Sequence, residues 1–229
     1  MAVADAKGRR WDAATGIGFV VVGVVGFLLP GTPPKADDPT QKIATFVVDK
    51  RDEILASSAL FLVAFALFLW FLGSLRSYLR AGEGGEGRLS AAAFGGGVAA
   101  AALVLAGICA LNAVAFKLGG TDPNLVRGFF DFSSALFAIS GAGFAVFFGA
   151  ASCSAARSGA LPPLLYWFGS LIAVLNLVGL IGLFAKSGFF ATGGAFGYIG
   201  PGLSFLWVLA VSVVLMQRSG VPPVARTEP

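Results

Sequence analysis

Residues 54–75 read ILASSALFLVAFALFLWFLGSL, a run of 22 residues without a charged side chain. A helix needs about 20 predominantly apolar residues to cross the hydrocarbon core of a bilayer, which is about 30 Å thick. Five more stretches of the chain have a comparable length and composition. The six predicted membrane spans are residues 13–29, 54–75, 89–116, 128–152, 161–185 and 198–216. The sequence therefore predicts an all-α fold, a bundle of six transmembrane helices.

The composition of the whole chain also favours a membrane protein. Hydrophobic residues make up 57% of the 229 residues and charged residues 12%, and the mean hydropathy is +0.85. These values lie outside the range of ordinary soluble domains. The segments between the spans are too short to fold independently. We therefore expect a single transmembrane domain over residues 1–218 and a disordered C-terminal tail over residues 219–229.

Neither the cysteines nor the net charge indicates another class of protein. Cys109 and Cys153 both fall inside predicted spans near opposite membrane faces, so we expect no disulfide between them. The net charge of +4 comes from basic residues scattered at the ends of spans. Nucleic-acid binding requires a gathered basic patch instead, and we expect no nucleic-acid partner.

The basic residues predict how the chain crosses the membrane. The first span follows Lys7, Arg9 and Arg10 as in a signal peptide, but no small-x-small cleavage site comes after it, so we expect a retained helix. Six spans place both termini on one side, and the positive-inside rule selects that side. With a cytoplasmic N terminus, nine basic residues lie inside against seven outside, and eight arginines against two. The prediction is a cell (plasma) membrane protein with both termini cytoplasmic.

The first outer loop carries the signals of a short helix of its own. Asp38 is a capping residue type, Pro39 suits the first helical position, and Gln41 stands three residues after the cap. An apolar stripe follows at helical spacing: Ile43, Phe46, Val47 and Ile54. We predict a short amphipathic helix that lies on the membrane surface or runs directly into the second span. It serves as a lid, or it is only an extension of that span packed on its neighbours.

Small residues predict which helices pack closely. Lipid tails are as apolar as leucine, so spanning helices associate through close packing at small side chains. On the third span such residues recur at spacings of three and four: Ala92, Gly95, Ala99, Ala102, Ala106, Cys109 and Ala113. The fourth span offers a matching series: Ser134, Ala138, Gly141, Ala145, Gly149 and Ser152. We expect the two spans to pair through these faces, so that Ala102→Phe would disrupt the bundle.

The residue types present leave little for catalysis. The chain contains no histidine, which removes the usual general base, the usual zinc and haem ligands, and the relay of a serine hydrolase. Ser140 lies in a span without an evident base to activate it. Asp131 is the only acid inside a predicted span, so paired-carboxylate and two-metal mechanisms lack residues. We predict no enzyme, no cofactor and no metal site.

Polar residues at membrane depth are candidates for a functional site, because burying them there is expensive. The candidates for ligand binding are Asn112, Asp131, Asn176, Ser133 and Ser134. On the predicted topology they lie in the outer half of the membrane or at its midplane, which suggests a small polar cavity open to the outside. The alternative is structural. Arg127 stands four residues before Asp131, the spacing of an ordinary ion pair, and a buried Asn commonly hydrogen-bonds a neighbouring helix.

A short motif carries a resemblance to a known family. Residues 158–169, SGALPPLLYWFG, open the fifth span. With the outer segment 43–55 and Trp207 in the last span, this motif resembles a family of bacterial multi-pass membrane proteins classed as a domain of unknown function. The resemblance implies a six-helix bundle in a bacterial inner membrane.

Two functions fit these patterns. The first is a non-enzymatic bundle that binds a lipid or apolar ligand, or that supports a partner membrane protein or a second copy of itself. The uniformly apolar helices favour it. The second is a small transporter or channel, which requires a polar pathway through the bundle and often broken helices. In the sequence only Asn176 and the glycines of the first and third spans favour such a pathway.

Overall fold

A computed structural model describes residues 2–35, 37–116, 122–185, 187–190 and 194–218; the predicted tail 219–229 lies outside them. The described chain is helical, and a 3₁₀ turn, Leu180–Leu183, continues α6. The α-helices are α1 (Ala2–Leu28), α2 (Thr40–Asp49), α3 (Arg51–Glu83), α4 (Arg88–Phe116), α5 (Pro123–Ser158), α6 (Pro163–Gly179) and α7 (Phe196–Arg218).

Five helices are long and apolar enough to cross a membrane, namely α3, α4, α5, α6 with its 3₁₀ turn, and α7. The apolar part of α1, Ala14–Leu28, is shorter than the about 20 residues that a span requires. The predicted all-α class is confirmed, and the length and composition of the five helices are those of a multi-pass membrane protein. A sixth span does not follow from the length of this apolar part.

The helices form a closed ring in the order α1, α3, α4, α5, α6, α7 and back to α1. Neighbours in the ring run antiparallel. From Gly16 to Gly26 along α1, for example, the nearest residues of α3 run backwards from Phe71 to Leu60. The short α2 covers one end of the ring, which we call the α2 end. The α3–α4 and α5–α6 turns lie at the opposite end.

Aromatic side chains fill the centre of the ring. Phe68 from α3, Phe147 and Phe148 from α5, and Trp207 from α7 are each at most 1% exposed. The Trp207 ring meets Phe147 and Phe148 edge to face at centroid distances of 5.7 and 5.1 Å, a favoured geometry for aromatic pairs. Its indole Nε1 donates a hydrogen bond of 2.8 Å to the carbonyl of Leu165 on α6. The middle of the bundle is therefore a packed aromatic layer.

The pairing of α4 with α5 is the most extensive helix contact in the bundle, as predicted, but the predicted face of α4 is wrong. Every member of the series from Ala92 to Ala113 is exposed. The contact runs through the neighbouring series, where a Cβ on Gly96 would lie 2.7 Å from the backbone nitrogen of Phe147. Small residues occur on all sides of α4. The two series have similar spacing and are offset by one residue, so a rotation of the helix by about 100° exchanges them.

The series predicted on α5 also belongs in part to a different partner. Gly141 lies against the backbone carbonyl of Asn176, and Gly149 against the side chain of Ala173, both on α6. The glycine of α5 that faces α4 is Gly143, where a Cβ would lie 2.8 Å from the backbone nitrogen of Ala100. Small residues on α5 therefore serve two contacts, one with each neighbour.

The predicted amphipathic helix is present as α2, and it packs across the ends of α3, α4 and α5. Ile43 and Val47 are fully buried. Lys50, at φ −104° and ψ 19°, separates α2 from α3, so α2 does not run directly into the second span. The predicted cap is also wrong: Pro39 occupies the N-cap position, and the carboxylate of Asp38 makes no cap hydrogen bond.

Candidate functional site

Asn112 is half-buried and joins α4 to α3. Its side-chain Oδ1 accepts a hydrogen bond of 2.8 Å from the hydroxyl of Ser58, which is itself buried. The same hydroxyl lies 2.8 Å from the carbonyl of Ile54, one turn earlier on α3. A polar contact between two helices in an apolar surrounding fixes their register. This contact favours the structural interpretation of Asn112, in which a buried amide hydrogen-bonds a neighbouring helix.

Asp131 belongs to an interfacial polar network at the α2 end. Its carboxylate accepts a hydrogen bond of 2.9 Å from Arg127 Nε, four residues earlier on α5, and half of its side chain is exposed. Arg127 Nη1 also donates to the backbone carbonyl of Asp38 at 2.9 Å. The predicted ion pair is therefore present, and its arginine ties α5 to the segment that leads into α2.

Asp38 organises the turn in front of α2. Its carboxylate accepts hydrogen bonds of 2.8 Å from Lys42 Nζ and from the backbone N–H of Lys35. The hydrogen bond from Lys42 and then that from Lys35 lower the pKa of Asp38 below its ordinary value. A lowered pKa means that the charged form stabilises the fold at neutral pH, and that this contribution is lost as the pH falls through the folded-state pKa.

Asn176 lies where three helices meet. Its Nδ2 donates a hydrogen bond of 2.9 Å to the carbonyl of Ile172 in the preceding turn of α6. Gly141 of α5 and Gly200 of α7 flank it, and a Cβ built on either glycine would lie 3.8 Å from Asn176 Oδ1. The amide therefore occupies a narrow space that two glycines leave open.

The structure brings four of the five candidates to one end of the bundle and separates the fifth. Gly107 on α4 packs against Phe137 on α5. Because the two helices are antiparallel, Asn112 lies at about the same depth as Asp131. Ser133, which is buried, and Ser134, which is half-buried, follow within the same turn. Asn176 contacts α5 at Gly141, ten residues beyond Asp131 and about 15 Å deeper.

A small cavity of about 210 Å³ opens at the α2 end, beside this network. Its walls combine two ammonium groups, one carboxylate and apolar side chains. They are Thr32, Pro33, Pro34, Lys35, Asp38, Lys42 and Phe46. None of the five candidates from the sequence lines it. Asp38 is shared between this cavity and the Arg127 network, so the two features form one polar region.

Two neighbouring cationic side chains lie at the opposite end of the bundle. From the sequence they contribute only to the predicted membrane topology. Arg76 and Arg80 are exposed and one turn apart on α3. The guanidinium carbon of Arg76 lies 5.5 Å from the centroid of the Phe94 ring on α4, a cation–π contact. In the sequence, this pair could have been found as two arginines four residues apart that directly follow an apolar run.

Glu83 is a further carboxylate with several hydrogen bonds, and it is not among the candidates predicted from the sequence. Its two carboxylate oxygens accept hydrogen bonds from the backbone N–H groups of Leu89 at 2.7 Å and Ser90 at 2.9 Å. These donors belong to the first turn of α4, whose N–H groups have no partner within the helix. Glu83 therefore caps α4 across the α3–α4 turn, which is a structural role.

Comparison of the chain with protein-family models, with curated proteins and with solved structures found no match.

Proposed function

We propose that the chain is a non-enzymatic helix bundle of a bacterial cell membrane, and that it binds lipids or a partner membrane protein at its lipid-facing surface. The packed centre carries this proposal. Phe68, Phe147 and Trp207 occupy the axis along which a transporter or channel needs a polar pathway. With the axis filled, the outer surface is where this molecule meets other molecules.

We further propose that α1 is a sixth span and that both termini are cytoplasmic. Contacts support the first point: Gly16 lies against Phe71 and Gly26 against Leu60 and Ser57, so α1 follows α3 over ten of its own residues, about 15 Å. Charge supports the second point. Of the described side chains at the opposite end, Arg76, Arg80, Arg88 and Arg157 outnumber Glu83 and Glu86, a net charge of +2. The positive-inside rule places such an end in the cytoplasm.

The exposed face of α4 is the part of the surface best suited to a helix partner. Its small residues run from Ala92 to Ala113, 22 residues or about 32 Å, which matches the full thickness of the hydrocarbon core. Gly95 has no neighbouring atom within 4 Å of its Cβ position. Small exposed residues let a second backbone approach closely.

Native mass spectrometry of the protein in mild detergent tests the proposal, because it retains bound lipids and subunits. A retained lipid or protein supports binding at the surface. A protein that is consistently monomeric and free of bound molecules, in several detergents and after addition of membrane lipids, contradicts it.

Cysteine cross-linking in native membranes tests whether the partner at α4 is a second copy. Cys109 is a free, exposed thiol on the small-residue face, one turn from its end at Ala113. Mild oxidation yields a disulfide-linked dimer if two copies meet there, and Cys109→Ala abolishes it. Cys153 on α5 is half-buried and serves as the internal control; a dimer that survives Cys109→Ala excludes this face as the self-contact.

A further inference from the structure

The outer surface of the seam where α3 packs against α4, which we call the groove, carries positive charge at the opposite end and apolar side chains further along the helices. Arg80, Arg76, Gly73 and Leu69 follow one another on α3 at spacings of four, three and four, so they share one face of that helix. Leu69 is 41% exposed and Gly73 has open space at its Cβ position. The groove therefore presents two cations, then a notch, then an exposed apolar side chain.

The α4 side of the groove continues the same profile. Phe94 lies beneath the guanidinium of Arg76, and Val98, one turn further into the membrane, is 36% exposed. The Phe94 ring holds the Arg76 side chain against α4.

The two arginines have no carboxylate partner among the ion pairs of the described residues. The nearby carboxylates are engaged elsewhere: Glu83 accepts the backbone N–H groups of α4, and Glu86 accepts a hydrogen bond of 2.9 Å from Arg88. At the α2 end the situation is reversed. There Lys42, Lys50, Arg51 and Arg127 are each paired with an acid.

The depth of the pair matches a lipid phosphate. The uncharged run of α3, residues 54–75, has its middle between Ala64 and Phe65. Arg76 is about 12 residues and Arg80 about 16 residues from this midpoint, about 17 and 23 Å along the helix. The hydrocarbon core ends about 15 Å from its middle, and the headgroup region extends to about 20–22 Å. With the middle of the run placed at the middle of the bilayer, both arginines lie at the level of the headgroups.

From charge, shape and depth together, we infer that this groove binds an anionic phospholipid, with the phosphate between Arg76 and Arg80 and an acyl chain along Leu69 and Val98. The inference rests on the proposed role of the lipid-facing surface and names its ligand class. Arginine suits this role, because its planar guanidinium forms two hydrogen bonds with one phosphate. Basic sites between spanning helices recognise anionic headgroups in the same way.

Lipid titration followed by native mass spectrometry tests the inference. The wild-type protein in mild detergent is titrated with phosphatidylglycerol and, separately, with phosphatidylcholine of the same acyl chains. The test variant is Arg76→Gln with Arg80→Gln. The control is Arg88→Gln with Arg157→Gln, which removes the same two charges from the same end. Thermal unfolding without added lipid establishes that both variants are folded, and Arg80→Gln alone replaces the test variant if the double change unfolds.

The expected result is a loss of phosphatidylglycerol affinity on the order of tenfold in the test variant, with little change in the control. Phosphatidylcholine binding stays weak in all proteins. Equal losses in test and control variants, or no loss in either, overturn the inference. Displacement by millimolar inorganic phosphate alone also overturns it, because the site then recognises a free anion and not a lipid. If phosphatidylglycerol does not bind but another molecule remains bound to the wild-type protein, this inference is wrong while the proposed function is supported.

Discussion

At the scale of single residues, glycines decide how closely the helices approach one another. Gly95 and Gly96 are adjacent on α4, yet they differ completely in surroundings. A Cβ on Gly96 would lie 2.7 Å from Phe147 N and 2.8 Å from Gly143 O, which are backbone atoms that cannot rotate away. A Cβ on Gly95 meets nothing within 4 Å. This contrast is a consequence of helix rotation alone.

We predict that Gly96→Ala destabilises the bundle by about 1–3 kcal/mol, because the added methyl group forces α4 and α5 apart. Gly95→Ala is the matched control and should be neutral or slightly stabilising in monomeric protein, since Ala is the better helix former by about 1 kcal/mol. Thermal unfolding in detergent, monitored by circular dichroism, measures both. Equal unfolding temperatures for the two variants would contradict the close approach at Gly96.

At the scale of elements, α2 shows how a short helix is held by one stripe of side chains. Val47 belongs to an apolar cluster that the ends of three other helices complete with Ile54, Val114, Ala115 and Val126. The next residue, Val48, is 50% exposed. A helix of ten residues has little stability in water on its own, so this cluster keeps α2 in place.

We predict that Val47→Asp releases α2 from the bundle, because it buries a carboxylate without a partner. Val48→Asp makes the same chemical change on the exposed side and should leave α2 docked. Hydrogen–deuterium exchange over residues 40–49 distinguishes them. Faster exchange in Val47→Asp but not in Val48→Asp is expected, and unchanged exchange in both would show that the cluster does not hold α2.

The orientation of α4 gives a second prediction at this scale. Ala102 faces outward and Ala101 is 2% exposed against its neighbours. Ala101→Phe should therefore disrupt packing, by overpacking of about 1–3 kcal/mol or more, while Ala102→Phe should leave the unfolding temperature of the monomer unchanged. This reverses the expectation from the small-residue series. A lower unfolding temperature for Ala102→Phe in monomeric protein would restore the original face.

At the scale of the whole molecule, the two ends of the bundle differ in charge and in covering. The opposite end has a net charge of +2 over its described side chains, whereas at the α2 end acids outnumber bases and pair with them. An exposed residue marks each end: Asp49 at the α2 end and Arg157 at the other. These positions make the orientation in a membrane measurable.

We predict that the α2 end faces the outside of the cell, as the positive-inside rule requires. The measurement uses protein in which Cys109 and Cys153 are replaced by serine, carrying either Asp49→Cys or Arg157→Cys. A membrane-impermeant maleimide should label Asp49→Cys in intact cells and Arg157→Cys only after permeabilisation. The opposite pattern would place both termini outside the cytoplasm.

Composition and periodicity are enough to predict the helical class, the approximate positions of the five long apolar helices, and the amphipathic character of α2. These depend on local composition and on the period of 3.6 residues, which can be read without knowing any contact. The ion pair between Arg127 and Asp131 could also be predicted, because the two residues lie four positions apart in one helix. The candidate site residues could be predicted because they are polar residues inside or next to apolar runs, which can be recognised from the sequence.

Which helix faces meet, and which polar residues lie at the same depth, depends on packing between helices and could not be predicted from the sequence. α4 carries small residues on every side, so its sequence is compatible with several rotations, and the surroundings of Gly96 select one. The aromatic layer of Phe68, Phe147 and Trp207 joins residues up to 139 positions apart. The groove at Arg76 depends on Phe94, a residue of the next helix. Such relations arise from the mutual packing of helices, for which the spacing of residues along one helix contains no information.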